Sequence, residues 1–423
     1  MIRILKKEIY LLLPVFLYLS LIFGFLIDED LNGGAKKDYI HAYKPIIENF
    51  IIDFKYTFLN YEQYGQRHSP VLIIVLSFLT FIFKHDIIVR ILHLHVSILL
   101  FIFFFLSLKT KFNFLSNKNI IVISSVIFLS PTVRSLAIWP DSRLLGLIFF
   151  VLSIFFFLKF KKEKKKYFFY SILNTIFLGI SAYISPNFSL FSIYFFYYFI
   201  KRLETKEIFL IILLNFFLAF PALYYIFILK IFFLTSGKTP GYDEVGTSFD
   251  LNFSNKILII SSIFFFHLLN FILYKDFFEK IKKFIYEKKN FFIILAFSLL
   301  LIYNFNYSLK FTGGGIFLHL SYYIFKSNIF FFIIIFFSLF LIYFLTKKNF
   351  NNFLLFLILV ISNIQLSIYH KYYDPLIFIM FLLLFEVQIN FKKFFSSKNN
   401  IFYIYAIFVF FLFASFLKIK LQI

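Results

Sequence analysis

The chain has 423 residues, 61% of them hydrophobic, including 75 Phe, and a formal net charge of +22. A soluble domain is nearer to about 45–50% apolar, so the excess here is more than one buried core absorbs and fits a chain solvated by lipid. Lys and Arg stand in short clusters between apolar runs, which points away from nucleic acid and toward a membrane, and the lack of Cys excludes disulfides and thiolate metal sites.

Crossing the hydrocarbon core takes roughly 20 apolar residues. Met1–Ile27 has a basic start, a long apolar run and no small-residue cleavage site, so it reads as an uncleaved first helix spanning Ile9–Ile27. The polar stretch Asp28–Ser69 follows. Pro70–Phe83 is apolar but short and reads as a helix lying in the interface, over 70–84. Further apolar runs are Ile87–Leu108, Ile120–Ile138, Leu144–Phe160, Tyr167–Ile184, Phe188–Ile200, Ile208–Phe233, Ile257–Tyr274, Phe291–Tyr303, Ile329–Leu345, Phe353–Ile368, Pro375–Val387 and Ile401–Leu417. With Pro70–Phe83 not crossing, thirteen spans make one all-α polytopic transmembrane bundle, a single domain over 1–423. Its first outer loop, 28–69, carries small interfacial helices. This arrangement puts more than half of the 43 Lys and Arg on the side of the N-terminus, which the positive-inside rule assigns to the cytoplasm. No internal repeat is present in the sequence.

The chemistry concentrates at the outer ends of spans. Asp28-Glu29-Asp30 stands where the first helix leaves the membrane, followed by Asp38 and His41. A carboxylate there suits acceptance of a proton from an acceptor hydroxyl attacking an anomeric carbon; the plain alternative is a helix end marking the water interface. Gly33-Gly34 permits a sharp turn. Arg67 and His68 are suited to a phosphate or a sugar, beside a Ser69 cap and Pro70 at a first helical position. Asp141, in the short turn Trp139–Arg143, is a second candidate carboxylate or simply a helix cap, with Arg134 one to two turns earlier.

Late in the chain, His370 and Lys371 are suited to neutralising a departing phosphate, where positive charge matters more than a general acid. Their Tyr neighbours also fit an aromatic belt. Lys310 with Gly313–Gly315 is a further candidate anion cradle, or a plain reordering loop. His93 and His95 are two apart on a helix and point to different faces, so they do not share a metal. No HExxH or phosphate-binding GxxxxGK[ST] motif occurs, and no metal or cofactor is indicated.

The acidic start of the first loop (Asp28, Glu29, Asp30), its end at His68-Ser69-Pro70, the second acid in Pro140-Asp141-Ser142 and the late segment Tyr369–Pro375 together resemble the GT-C superfamily of glycosyltransferases. That group includes protein O-mannosyltransferases, aminoarabinose transferases of lipid A and dolichyl-phosphate-glucose-dependent glucosyltransferases. Lys371 stands where their late segment carries Arg. The resemblance implies inverting transfer of a sugar from a polyprenyl-phosphate carrier to a lipid, glycan or protein acceptor on the non-cytoplasmic face of a bacterial inner membrane. It casts Asp28, Asp30 and Asp141 as catalytic carboxylates. Glu29, Asp38, His41, Arg67, His68, Arg134, Lys310, His370 and Lys371 become substrate-binding. The alternative is a transporter or flippase of lipid-linked or small solutes, which needs ionisable groups at mid-membrane depth and broken helices. The transfer reading further expects Asp28, Asp30 and Asp141 to meet around one outer hollow.

Overall fold

The computed structural model describes residues 2–31, 34–66, 69–229, 250–309 and 313–420, with side chains from residue 10 onward. Among these residues the regular elements are helices and no strand occurs. Seven helices among the described residues are long and apolar enough to cross a bilayer, or eight if one bent pair counts as a single span. This is the make-up of a multi-pass membrane protein. The hydropathy count of thirteen includes runs that fold as shorter helices or break partway. The chain divides into two compact units, one of residues 2–229 and 408–420, the other of residues 250–407.

The first unit opens with α1 (Ile2–Leu26). Its first loop holds α2 (Ala35–Asp38), a π-helical turn (Tyr39–Tyr43), α3 (Lys44–Ile52) and α4 (Phe54–Leu59). Then come α5 (Val71–Phe83), α6 (Asp86–Lys111), α7 (Asn117–Ser125), α8 (Pro131–Ile138), α9 (Ser142–Lys162), α10 (Tyr167–Ile184), α11 (Phe191–Ile200) and α12 (Thr205–Phe227). The run Ile120–Ile138 is not one straight span: α7, a 3-10 turn and α8 bend by 66°. Ser130 takes an extended conformation ahead of Pro131 and caps Val133 N–H through its hydroxyl at 3.1 Å. The residue before a proline is pushed out of the helical region, and serine makes that exit a new helix start.

α9 is the central helix, packed on α6 and α10. Gly146 lets α10 come close, since a Cβ there would stand 2.7 Å from the Ser185 Cβ. Ser181 Oγ donates to the Gly146 carbonyl at 2.7 Å, and Asn174 Nδ2 donates to the Ser153 carbonyl at 2.8 Å. Small residues and short polar side chains are the usual cohesive elements between helices in lipid, where apolar burial gains nothing. α12 is the opposite case. Its Phe209, Phe216, Phe217 and Phe220 are 59–63% exposed, a surface that water would not tolerate and acyl chains solvate.

The second unit contains α13 (Phe253–Ile272), α14 (Lys275–Tyr286), α15 (Lys288–Tyr303), α16 (Gly315–Tyr323), α17 (Ile329–Thr346), α18 (Phe350–Ile361), α19 (Leu376–Leu383) and α20 (Phe391–Ser396). The last helix, α21 (Lys398–Lys420), runs to the end of the described chain. α13 is central and mostly buried, with α15, α16, α17, α18 and α19 around it. α14 is amphipathic, burying Phe277 and Ile281 one turn apart and exposing Lys275, Lys280, Lys282 and Lys283. The run Phe353–Ile368 leaves the α-helix after Ile361, where Ser362, Asn363, Gln365 and Ser367 interrupt it. Asn363 Oδ1 accepts from Gln365 N–H at 3.2 Å, a side-chain turn that competes with the helix.

Candidate functional site

The site grows from the end of α1. Glu29 N–H donates to the Gly24 carbonyl at 2.9 Å and Asp28 N–H to the Phe25 carbonyl at 3.2 Å. These two bonds, with Asp28 at φ +53°, make a Schellman end in which Asp occupies the left-handed position that glycine normally takes. A non-glycine residue there costs of order 1 kcal/mol. Such strain is a pointer to function when the side chain has a use.

The side chains that meet this turn come from α6 and from the α8–α9 junction. Arg90, on the second turn of α6, donates through Nη2 to Asp28 Oδ1 at 3.0 Å and through Nε to the Ile138 carbonyl at 3.3 Å. Its guanidinium lies 3.6 Å from the centre of the Trp139 ring. One turn on, His93 Nε2 lies 3.0 Å from the Leu136 carbonyl. Both carbonyls sit in the last turn of α8, where a helix has no N–H donors of its own left for its carbonyls, so α6 completes that end. Trp139 Nε1–H donates to the Glu29 carbonyl at 3.1 Å. Lys36 Nζ lies 3.7 Å from Asp28 Oδ2 and 4.9 Å from the Trp139 ring centre.

The acids take different positions. Asp28 is 52% exposed. Glu29 faces inward and is gripped by Arg134, whose N–H groups reach Glu29 Oε1 and Oε2 (2.6 Å each), Ser20 Oγ and Ser20 O (2.9 Å each) and Phe128 O (3.4 Å). A guanidinium has five donors, and all five are engaged. The Glu29–Arg134 pair therefore ties α1 to α8, and no donor of Arg134 remains for a substrate. Asp30 Oδ2 accepts from the Lys36 N–H at 3.1 Å and closes the first loop on itself.

Asp141, 1% exposed at its side chain, accepts from Arg143 N–H at 2.8 Å as the cap of α9, and from the Arg143 guanidinium through both oxygens. The cap reading of Asp141 thus holds. The same Arg143 lies 3.6 Å from Asp38, so this second acid is linked to the first loop. Tyr39 donates to Asp86 Oδ1 at 2.5 Å. Burial, and secondarily the Asp86 bond, push the Tyr39 hydroxyl well above its ordinary range; burial does the same to Tyr43. His41 lies exposed on the π-helical turn.

Two arginines therefore tie the first loop to the α8–α9 junction: Arg143 joins Asp38 to Asp141, and Arg90 joins Asp28 to the Ile138 carbonyl. Sequence reasoning did not single out either of them, nor Lys36, Tyr39 or Asp86. For Arg90 a signal existed: it is a lone cation inside the apolar run Ile87–Leu108, and an ionisable residue there is a functional candidate by default.

Arg67, His68 and Lys310 lie outside the described residues. His370 and Lys371 belong to the second unit. His370 is buried with its Nε2 3.2 Å from His267 Nε2, and the Lys371 ammonium lies 5.0 Å from the Tyr369 ring centre. The Gly313–Gly315 turn is closed on its own unit: Gly314 N–H donates to the Ile368 carbonyl at 2.9 Å, and a Cβ on Gly313 would stand 2.5 Å from that oxygen. Its glycines serve close backbone packing there. His93 and His95 face different ways, as their spacing requires, with His95 Nδ1 2.7 Å from the Ile91 carbonyl. Among the described residues no group of three or more His, Asp or Glu is arranged to hold a metal ion. No protein-family model matches the chain, and neither does any curated protein or solved structure.

Proposed function

We propose that the chain is a membrane glycosyltransferase of the GT-C type, moving a sugar with inversion from a polyprenyl-phosphate carrier to a lipid, glycan or protein acceptor. The observation that carries this reading is Asp28. It is an exposed carboxylate held in left-handed backbone at the end of an apolar helix, between Arg90 at 3.0 Å and Lys36 at 3.7 Å. Its neighbours Glu29, Asp30 and Asp141 serve an ion pair, a loop closure and a helix cap. Asp28 is thus the carboxylate assigned to the reaction, as the general base.

In this mechanism the acceptor hydroxyl gives its proton to an Asp28 oxygen while its own oxygen bonds to the anomeric carbon. The anomeric C–O bond to phosphate breaks, and its electron pair leaves with the carrier phosphate. A phosphate leaving group needs positive charge more than a proton. Lys36, 42% exposed, is the cation beside Asp28 that reaches solvent, and is assigned to that phosphate. Arg90, buried against Trp139, fixes the direction of the Asp28 carboxylate. The positive-inside pattern supports an N-terminus in the cytoplasm, hence chemistry on the opposite face of a bacterial inner membrane.

The test is transfer by the purified chain in proteoliposomes supplied with polyprenyl-phosphate sugars and candidate acceptors. Wild-type chain transfers sugar and the Asp28→Asn/Asp30→Asn double variant does not. Full activity in the double variant overturns the base assignment, and no turnover of any lipid-phosphate sugar by wild type overturns the enzyme reading.

A further inference from the structure

The second unit holds a polar cluster that the transfer reading does not use. α13 is one of the helices long and apolar enough to span the membrane, and it carries His267 five residues before its C-terminal end at Ile272. At 1.5 Å per residue that places His267 about 8 Å in from the helix end, inside a hydrocarbon core about 30 Å thick. His267 Nε2 lies 3.2 Å from His370 Nε2 and 4.0 Å from Asp374 Oδ1. The side chains of His267 and Asp374 are 1% and 0% exposed.

The backbone around the cluster is equally unusual. α18 has 12 residues and α19 has 8, so they reach about 18 Å and about 12 Å, and neither crosses the core alone. Between them residues 362–375 form no α-helix, with one 3-10 turn at His370–Tyr372, and contact with His267 sets part of this segment at membrane depth. Irregular backbone at such depth survives only where protein buries it or where it serves a polar site. Two half-length helices facing an ionisable cluster are the usual frame of an intramembrane binding site.

We propose that His267, His370 and Asp374 form an intramembrane proton-binding site, in which the two imidazoles share one Nε2–H and Asp374 carries the balancing negative charge. Two Nε2 atoms 3.2 Å apart have room for a single hydrogen between them, so one ring donates and the other accepts. Taking up one proton places N–H on both Nδ1 atoms and leaves the shared Nε2–H in place, and the new positive charge lies beside Asp374. A buried carboxylate needs such a partner, because an uncompensated charge in hydrocarbon is strongly disfavoured.

Several other titratable groups on the elements around α13 are engaged elsewhere or face outward. His319 of α16 turns its Nε2 to the Gly313 carbonyl at 2.8 Å. Asp276 of α14 pairs with Lys393 at 3.0 Å. Tyr343 of α17 lies against Phe284, and Tyr303 of α15 is 88% exposed. Lys256, at the far end of α13, donates to the Gln365 carbonyl at 3.0 Å. Lys371 lies against Tyr369, and α18 and α19 bring no ionisable side chain of their own. The inference does not rest on the transfer reading and survives its failure.

The experiment is nitrogen NMR of the full chain in lipid nanodiscs, with all eight histidines 15N-labelled at the ring. His267→Gln and His370→Gln identify the two signals, and each variant is checked for a monodisperse elution profile. The expected result in wild type near neutral pH is one coupled pair with imidazolium character and a through-hydrogen-bond coupling between the rings. Asp374→Asn, which keeps shape and removes charge, then lowers the pH at which the pair loses its proton by one unit or more. Two uncoupled neutral rings from about pH 5 to about pH 8, unmoved by Asp374→Asn, overturn the proposal. So does stoichiometric Zn2+ uptake that shifts both rings, since the occupant is then a metal ion. The wild-type coupling alone decides the case if every variant misfolds.

Discussion

The Arg134 guanidinium meets Glu29 at both carboxylate oxygens, Nε to Oε1 and Nη2 to Oε2, each at 2.6 Å, and Gly24 of α1 leaves the space for it. A Cβ on Gly24 would stand 2.9 Å from Arg134 Nη2 and would collide with Glu29 Oε2. Breaking a buried pair from one side strands a charge, at a cost of about 3–5 kcal/mol. Arg134→Met is therefore expected to lower the unfolding midpoint of the detergent-solubilised chain strongly, and Glu29→Gln/Arg134→Met to recover part of the loss. Gly24→Ala acts on the same contact, so its effect and that of Glu29→Gln add to less than their sum in a double-mutant cycle. Additive effects would mean that Gly24 serves some other purpose.

Arg143 lies between two acids of unequal burial, and the two halves of its role separate by substitution. Asp141 is nearly closed off from solvent, so Arg143→Met takes the guanidinium from a buried carboxylate and costs about 3–5 kcal/mol. Asp38 is 37% exposed and 3.6 Å away, so Asp38→Asn costs less than about 1 kcal/mol. Chemical or thermal unfolding of the two variants side by side checks the order; equal losses would contradict it.

Much of the architecture is legible in the hydropathy of the chain. Tyr167–Ile184 coincides with a helix, and Asp141 is linked through Arg143 to Asp38 of the first loop. What hydropathy does not carry is the partner of each charge. Arg90 and His267 are diluted by long apolar runs, and only their contacts across the fold reveal Asp28 and Asp374 as what they serve. Run length also misleads where polar residues are sparse. Ser130-Pro131 bends one expected span, and the residues from Ser362 to Ser367 end another, through local side-chain and backbone preferences that an average over twenty residues erases.

The pH response of the second unit has a defined sign at the α13–α14 junction. Tyr274, past the end of α13, donates to Asp276 Oδ2 at 2.8 Å, and burial followed by that bond pushes its hydroxyl from 10.0 up to about 12. A raised tyrosine contributes stability that is complete below the unfolded value and is lost as pH rises through the folded one. Lys393 first, and Tyr274 second, hold Asp276 below its usual value of 3.8, so its contribution is present above that value and is lost as pH falls below it. The contact is thus intact from about pH 4 to about pH 10. Asp276→Asn should lower the plateau and flatten both limbs of the unfolding midpoint against pH. An unchanged profile would show that the contact contributes nothing to folding.

Asp28 offers the sharpest separation of chemistry from structure, because its backbone asks for glycine while the proposed reaction asks for a carboxylate. At φ +53° a glycine is unstrained, so Asp28→Gly relieves of order 1 kcal/mol of backbone strain, offset by loss of the Arg90 and Lys36 contacts. The unfolding midpoint should therefore stay near that of wild type. Sugar transfer should fall by about 10²–10⁴, the usual worth of a positioned general base, and Asp28→Asn should fall as far while keeping the side-chain shape. Asp30→Asn removes the charge from the acceptor of the Lys36 N–H and should loosen the first loop while changing the rate less than about tenfold. Initial rates and unfolding midpoints measured on the same preparations decide the matter. If Asp30→Asn is the inactive variant and Asp28→Gly transfers sugar normally, the base is Asp30, and the left-handed Asp28 is only a helix end.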